Sequence, residues 1–298
     1  MARPSGCTTG ERENVMPSIK KILFPVDFSE SSGGAARYVE AFAGRFEASV
    51  RLLHIVGKGE YYLPEDLLPR RQAQLDRFLS DEFKYFTTER ICAIGDPAAE
   101  IVKAARDWQA DLVMLPTHGH GTFRRLLLGS VTAKVLHDLD CPVWTSAHSE
   151  EAPPLEQIHC RKILCALDLS SRSEDVLKWA AWFAGQYQAE LAIVHATAEL
   201  PPSAYGWNLE EDYANSLAER ASQAIKYLQT NAGTGAEVFI RTGDTPKIVA
   251  WAVEQFNADL LVMGRHSNSG IPGFLRQHAY AILRDSPCPV ISTPVEVK

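Results

Sequence analysis

The chain has 298 residues, about twice the most common size of one domain, which predicts two domains. Hydrophobic residues make up 46% and charged residues 22%, which excludes disordered, collagen-like and coiled-coil chains. The net charge of −7 argues against DNA as a main partner, because non-specific binding to nucleic acid depends on positive charge. No apolar stretch is long enough to span a membrane and residues 1–14 lack a signal-peptide pattern, so we expect a cytoplasmic protein without membrane association. The six cysteines include no C-x-x-C pair and are predicted to be thiols.

The sequence repeats itself once. The repeat is carried by three pairs of segments, which are Lys21–Ser29 with Lys162–Ser170, Asp111–Val113 with Asp259–Leu261, and Cys141–Val143 with Cys288–Val290. Their offsets are 141, 148 and 147 residues, so the second copy has seven extra residues in its middle and lacks one residue near its end. A period of this length indicates a duplicated domain, because solenoid repeats are much shorter.

The repeat predicts the domain organisation. We expect the first domain, copy one, over residues 18–148 and the second, copy two, over residues 161–296. Residues 149–160 form a polar, proline-containing linker. Residues 1–17 are polar and turn-forming, and we expect a disordered tail without function there.

Each copy alternates short apolar runs with segments of helical length, which is typical of βαβ units and a parallel sheet. The strands predicted for copy one are 21–26, 49–55, 86–93, 111–115 and 143–146. The predicted helices are 31–46, 70–83, 97–109 and 130–138, and Asp96 and Asp244 are predicted to cap equivalent helices. The expected fold class is α/β, with two tandem doubly wound, Rossmann-like domains, each with a five-stranded parallel sheet flanked by helices.

Ligands of such a sheet bind beyond the carboxyl ends of its strands, so the residues that follow each strand are candidates. Asp27 follows the first strand, and its carboxylate could accept hydrogen bonds from a ribose or an adenine. Capping of the next helix is the simpler explanation for Asp27 taken alone. A glycine-containing loop follows the fourth strand and ends in Gly129-Ser130, where a helix N-terminus favours an anion such as phosphate. We expect Ser130 to be both N-cap and phosphate donor, with plain capping as the alternative.

These features together resemble the universal stress protein family. They are a strand-tip aspartate, an apolar strand that enters a His-Gly loop, nine residues between Gly119 and Gly129, a Gly-Ser pair, and a final Cys-Pro-Val strand. The resemblance runs from Ser18 to Thr293 through both copies, which indicates a tandem member. The ATP signature of the family, G-x-x-G, nine residues and then G-S/T, is matched in copy one except at Pro116, which replaces the first glycine. Proline has a fixed φ and no N–H, so this position departs from the family pattern.

The resemblance implies an ATP site in copy one, with Mg²⁺ left open as a companion ion. The residues implied to contact the adenine and ribose or to line the phosphates are Pro25, Val26, Asp27, Ile55, Leu115, Gly119, Gly129, Ser130, Val131 and Thr132. We expect no catalytic residue and no protein-held metal. Copy two keeps Asp168, but Arg276-Gln277 or Gln277-His278 replaces the Gly-Ser pair, so we expect a degenerate nucleotide site and a structural or partner role.

The resemblance further implies a nucleotide-responsive regulator of stress tolerance that acts on an unidentified protein partner and is not a catalyst. Two alternatives stay open. A weak ATPase or phosphotransferase lacks an evident general base, because residues 116–132 contain no Asp or Glu. A nucleotide-free protein-interaction module is kept open by Pro116.

Three further motifs have simpler explanations. The segment Ser32-Gly-Gly lacks the rest of an ATP pyrophosphatase motif, and the two histidines of residues 118–121 lack a third metal ligand. His54 and His195 end buried strands, and we expect them to be hydrogen-bonded core residues and not catalysts.

Each copy ends in a short apolar strand, at residues 143–146 and 290–293, which would lie at a sheet edge and invite pairing. Single-domain members of the family dimerise through this strand. The resemblance therefore implies that the two copies pair within one chain as a pseudo-twofold dimer, with residues around Val143 facing those around Val290. The sequence leaves open whether whole chains also form a homodimer.

Overall fold

The computed structural model describes residues 17–57, 66–117, 128–146, 152–198, 209–267 and 274–296, and ten strands alternate with eight α-helices along these residues. The elements of copy one are β1 (Lys21–Pro25), α1 (Glu30–Phe46), β2 (Ser49–Gly57), α2 (Leu67–Arg77), β3 (Thr88–Gly95), α3 (Pro97–Trp108), β4 (Leu112–Met114), α4 (Ser130–Asp138) and β5 (Val143–Thr145). The elements of copy two are β6 (Lys162–Ala166), α5 (Ser173–Tyr187), β7 (Glu190–Thr197), α6 (Leu209–Ala232), β8 (Glu237–Thr242), α7 (Thr245–Phe256), β9 (Leu260–Ser267), α8 (Phe274–Asp285) and β10 (Val290–Glu296).

The ten strands form one continuous sheet in the order β3-β2-β1-β4-β5-β10-β9-β6-β7-β8. Neighbouring strands within each copy are parallel, which confirms the two predicted five-stranded parallel halves. The last strands, β5 and β10, pair antiparallel at the centre, with Trp144 opposite Ile291 and Ser292 opposite Val143. The predicted pairing of the two copies through their last strands is therefore confirmed, and each copy covers the exposed edge of the other.

Side chains from both copies also pack together on the two faces of the sheet. On one face α1 contacts α5, where the rings of Phe42 and Phe183 lie 5.7 Å apart and both side chains are buried. On the other face α4 contacts α8, where the Tyr280 hydroxyl donates to the carbonyl of Ala133 at 3.4 Å. The two copies thus form one packed unit and not two domains with separate cores.

Helix α2 departs most from its predicted bounds of 70–83. It begins earlier, at Leu67, because Pro69 is tolerated in a first turn whose N–H groups have no intrahelical acceptor. It ends at Arg77, and Leu79 then adopts a left-handed φ of 53°. The guanidinium of Arg90, on the neighbouring strand β3, donates to the carbonyls of Leu75, Phe78 and Leu79 and so stabilises this early end.

The seven extra residues of copy two correspond to a longer helix. Helix α6 has 24 residues where α2 has 11, so it occupies the positions of both α2 and the irregular segment that follows it in copy one. The predicted caps are confirmed, since the carboxylate of Asp96 accepts from Ala99 N at 2.9 Å and that of Asp244 accepts from Lys247 N at 3.2 Å.

Two findings concern membrane spans and cysteines. Within the described ranges, no helix combines the length and the apolar character that a membrane span requires. The cysteines in these ranges are free thiols, as predicted, and they are Cys92, Cys141, Cys160, Cys165 and Cys288.

Candidate nucleotide site

The carboxyl ends of β1, β2 and β4 lie side by side, because β1 pairs with both of the other strands. This arrangement brings together Val26 beyond β1, Ile55 near the end of β2 and Leu115 beyond β4. Val26 and Leu115 are buried and Ile55 is half-buried. Val26 packs into the core on one face of the sheet, whereas Ile55 and Leu115 pack on the other face, so the three side chains do not form a single surface.

Asp27 supports the turn between β1 and α1. Its Oδ1 accepts hydrogen bonds from Ser29 N at 3.0 Å, from Ser29 Oγ, and from Ser32 Oγ at 2.7 Å. The N-cap of α1 is Ser29, whose hydroxyl accepts from Ser32 N, so Asp27 does not cap the helix itself. Phe28, between the two, has a left-handed φ of 62°, which turns the chain sharply at this point.

The same turn is present in copy two. Asp168 Oδ1 accepts from Ser170 N and from Ser173 Oγ, both at 2.9 Å, and Leu169 has a φ of 57°. Copy two lacks the Gly-Ser pair and still builds this network. These bonds of the strand-tip aspartate are therefore explained by the fold, and a role in nucleotide binding would need further contacts of Asp27.

His54 is on β2, beside the carboxyl end of β1. Its Nδ1 is 2.9 Å from the carbonyl oxygen of Val26, and its ring packs against Phe28 at 4.2 Å. Burial lowers the pKa of His54, and this effect is larger than that of the hydrogen bond to Val26, which raises the pKa, so the imidazole is neutral at pH 7. Because a carbonyl oxygen only accepts, Nδ1 carries the hydrogen and donates it to Val26 O. His195 makes the equivalent bond to Leu167 O at 2.8 Å, which confirms that both histidines are hydrogen-bonded parts of the scaffold.

Helix α4 begins in close contact with the end of β4. Gly129 N donates to the carbonyl oxygen of Thr117 at 3.0 Å, and a Cβ added at Gly129 would also lie 3.0 Å from that oxygen. Glycine is thus needed here for close approach of two backbone segments. Gly129 is the N-cap and Ser130 is the first helical residue, so the predicted N-cap role of Ser130 is wrong.

The first turn of α4 presents backbone N–H groups to the region beyond β4. The first intrahelical bond runs from Ala133 N to Gly129 O, and the N–H groups of Ser130, Val131 and Thr132 precede it. The hydroxyl of Thr132 is buried and donates to the carbonyl of Pro116 at 3.3 Å. Thr132 would therefore meet a phosphate through its backbone N–H, whereas the Ser130 side chain is exposed.

Pro116 replaces a family glycine without disturbing the pairing of β4 with β5. Leu115 N and Thr117 N donate to the carbonyls of Trp144 and Ser146, both at 3.1 Å. Because donors alternate in direction along a strand, the N–H that Pro116 lacks would have pointed away from β5. The proline therefore leaves the pairing of β4 with β5 intact.

One predicted site residue, Gly119, lies outside the described residues. The residues that align with Gly129-Ser130 in copy two lie inside α8, because this helix already begins at Phe274. Copy two therefore has helical backbone where copy one has its Gly-Ser helix start.

No metal centre is found in the described ranges, where no three His, Cys, Asp or Glu side chains cluster closely enough to hold an ion. The candidate site of copy one consists of the carboxyl ends of β1, β2 and β4, the carboxylate of Asp27 and the N-terminus of α4.

Comparison with known proteins identifies the family. The profile of the universal stress protein family matches residues 18–146 and again residues 159–294. A universal stress protein of Methanocaldococcus jannaschii is 30% identical over 149 residues, which cover 42% of this chain and 92% of that protein. A universal stress protein of Mycolicibacterium smegmatis is 24% identical over 275 residues, which cover 85% and 90%.

The fold is shared with a solved structure of similar size. The crystal structure of a universal stress protein from Archaeoglobus fulgidus superposes with a TM-score of 0.69 at 21% sequence identity, and covers 94% of this chain and 98% of that one. The two matches to the family profile and the repeated fold lead to one conclusion: the chain belongs to the universal stress protein family, as a tandem member with two family domains.

Proposed function

We propose that copy one binds one molecule of ATP and that the protein is a nucleotide-responsive regulator of stress tolerance, not a catalyst. The observation that carries this proposal is the start of α4, where Gly129 packs on the carbonyl of Thr117 and three N–H groups of the first helical turn follow. These donors and the positive end of the helix dipole favour an anion. Strand β1 is the neighbour of β4 in the sheet, so the carboxyl end of β1 lies near the start of α4. One nucleotide could therefore place its nucleoside at β1 and its phosphates at α4.

The family resemblance implies a group of copy one for each part of the nucleotide. The adenine would lie at the carboxyl ends of β1, β2 and β4, near Val26, Ile55 and Leu115, and the ribose would bond to the carboxylate of Asp27. The phosphates would be held by backbone N–H groups and the Ser130 hydroxyl. Residues 116–132 carry no carboxylate, so a Mg²⁺ ion that accompanied ATP would be bound by the phosphate oxygens.

The same chemistry supports a binding role over hydrolysis. A hydrolase needs a group that accepts a proton from the attacking water. Residues 116–132, which would line the phosphates, contain no Asp or Glu that could accept this proton. Bound ATP would instead bridge the end of β4 and the start of α4, and a protein partner would recognise the surface that results.

Calorimetry on the full chain tests the proposal. We expect one ATP per chain and weaker binding of AMP, because AMP lacks the β- and γ-phosphates. The variant Ser130→Asp should abolish binding by repulsion of the phosphates. It should not unfold α4, since a negative charge in the first turn stabilises a helix by about 0.3–1 kcal/mol.

The matched control is Thr245→Asp, which adds the same charge at the first residue of α7 in copy two. This variant should bind ATP like the wild type. Two equivalent sites per chain, or unchanged ATP binding by Ser130→Asp, would show that the proposal is wrong. Release of phosphate from ATP by the pure protein would favour the weak ATPase instead.

A further inference from the structure

Arg265 is a buried cation of copy two that contacts copy one. It lies near the carboxyl end of β9, and only 5% of its surface is exposed. Its Nη1 donates to the carbonyls of Leu136 and Leu139 at 3.1 and 2.9 Å, and its Nη2 donates to the carbonyl of Cys141. Its Nε donates to Ser292 Oγ, in its own copy, at 3.2 Å. Three of the four acceptors therefore belong to copy one.

These acceptors lie at the C-terminal end of α4. Leu136 is in the last turn and Leu139 is the C-cap, so their carbonyls have no intrahelical donor. A cation is favoured there by the negative end of the helix dipole. Burial lowers the pKa of Arg265 to about 10, which still leaves the guanidinium charged at neutral pH. Arg265 thus donates hydrogen bonds to three backbone carbonyls at the end of α4 and places a positive charge there.

The residue of copy one that is equivalent to Arg265 does not make the corresponding contact with the end of α8 in copy two. The position of Arg265 corresponds to Thr117 in copy one, whose hydroxyl donates to Ser146 within the same copy. At the end of α8, the Ser286 hydroxyl donates to the carbonyl of Cys288 at 2.8 Å. Copy one has Leu139 at the position of Ser286, and leucine has no donor in its side chain. The carbonyl of Cys288 is therefore bonded from within copy two, whereas the equivalent carbonyl of copy one, that of Cys141, is bonded by Arg265 of copy two.

We infer that Arg265 is a positioning residue for the ATP site of copy one, which it serves by holding α4 from the opposite end. This inference rests on the proposed function. Helix α4 has nine residues and is about 13 Å long, so it moves as one rigid element between Arg265 and the phosphates. Its N-terminus has little freedom to adapt, because Gly129 already lies in close contact with Thr117 O. Copy two would thereby support nucleotide binding without a phosphate site of its own.

The test compares ATP affinity of the wild-type full chain with that of Arg265→Met, which keeps an apolar stem and removes every donor. We expect about tenfold weaker binding, within the usual range of coupling between two sites. The control is Arg37→Met. Arg37 also donates to two backbone carbonyls, those of Ala152 and Pro153, but these belong to the segment that joins the copies and not to α4. Its ATP affinity should equal that of the wild type.

A second measurement needs no variant. Coupling between two sites is reciprocal, so ATP should slow hydrogen exchange of the Leu139 amide, which bonds to Val135 O at the Arg265 end of α4. Wild-type affinity in Arg265→Met, or unchanged exchange of Leu139 with ATP bound, would overturn the inference and leave ATP binding intact. If Arg265→Met does not fold, the exchange measurement decides. A wild-type chain that binds no ATP would overturn the inference and the proposed function together.

Discussion

Trp144 and Ile291 lie directly opposite each other where β5 meets β10, and they are equivalent positions of the two copies. Two further contacts also join equivalent positions, Phe42 with Phe183 and Ala133 with Tyr280. A residue can meet its own counterpart only at a twofold axis. The pseudo-twofold axis therefore passes through the sheet and both helical layers, and the chain contains the isologous interface of a dimer within one polypeptide.

The contact between Phe42 and Phe183 should be energetically coupled. Buried aromatic pairs contribute about 0.5–1.5 kcal/mol beyond the area they bury. A double-mutant cycle with Phe42→Leu and Phe183→Leu, measured by urea unfolding, should give a coupling energy of that size. Phe42→Leu combined with Phe239→Leu is the control, because Phe239 packs against Trp251 and Phe256 in a different cluster. Those two effects should add, and a purely additive Phe42–Phe183 pair would contradict the interface.

Local signals were enough to predict most of the fold. Helix α4 was predicted over residues 130–138 and the structure gives Ser130–Asp138. The pairing of the last strands followed from the apolar edge strands together with the family resemblance. Helix α2 was less well predicted, because its end is fixed by Arg90, which contacts Leu75 and Phe78 through the tertiary fold and not through local sequence.

The start of α4 at Ser130 was predictable from the sequence, but the roles of Gly129 and Ser130 were not. Glycine and serine both favour the N-cap position, so the pair Gly129-Ser130 does not by itself show which residue caps α4. The close contact with Thr117 O selects Gly129. Arg265 was missed altogether, because its acceptors lie more than 120 residues away in the sequence. Its only signal is an arginine at the end of an apolar strand where copy one has Thr117.

Gly129 should be intolerant of any side chain. In Gly129→Ala the new Cβ would lie 3.0 Å from Thr117 O, so the start of α4 must shift, and we expect a loss of about 1–3 kcal/mol in the free energy of unfolding. ATP binding should weaken as well. The control is Gly33→Ala within α1, where nothing lies within 4 Å of the added methyl group. This variant should gain about 0.5–1 kcal/mol, because alanine is the better helix former. Equal stability of the two variants would contradict the close contact.

Asp27 should contribute to ATP binding through its charge and to the fold through its oxygen. Asp27→Asn keeps an acceptor for Ser29 and Ser32, so the unfolding midpoint should change little. A charged hydrogen bond to a ribose hydroxyl contributes about 1.5–3 kcal/mol, and its loss should weaken ATP binding at least about tenfold. Asp168→Asn makes the same change in the equivalent turn of copy two and should leave ATP affinity unaltered. A drop in affinity for both variants would point to a global effect and against a ribose contact of Asp27.

His54 should make the protein less stable in mild acid. Burial lowers the pKa of His54 in the folded state, and the positive charge of Arg71 acts in the same direction, against the bond to Val26 and the charge of Asp27. As the pH falls below about 6.5, the unfolded chain takes up a proton that the folded protein resists. The contribution of His54 to stability is therefore fully present above that pH and is lost as the pH falls through the lowered value. Urea unfolding at a series of pH values from 8 to 5 measures this loss. His54→Asn keeps an N–H donor for Val26 and cannot be protonated, so its stability should fall less over the same range. Parallel pH profiles of the wild type and His54→Asn would show that another group is responsible.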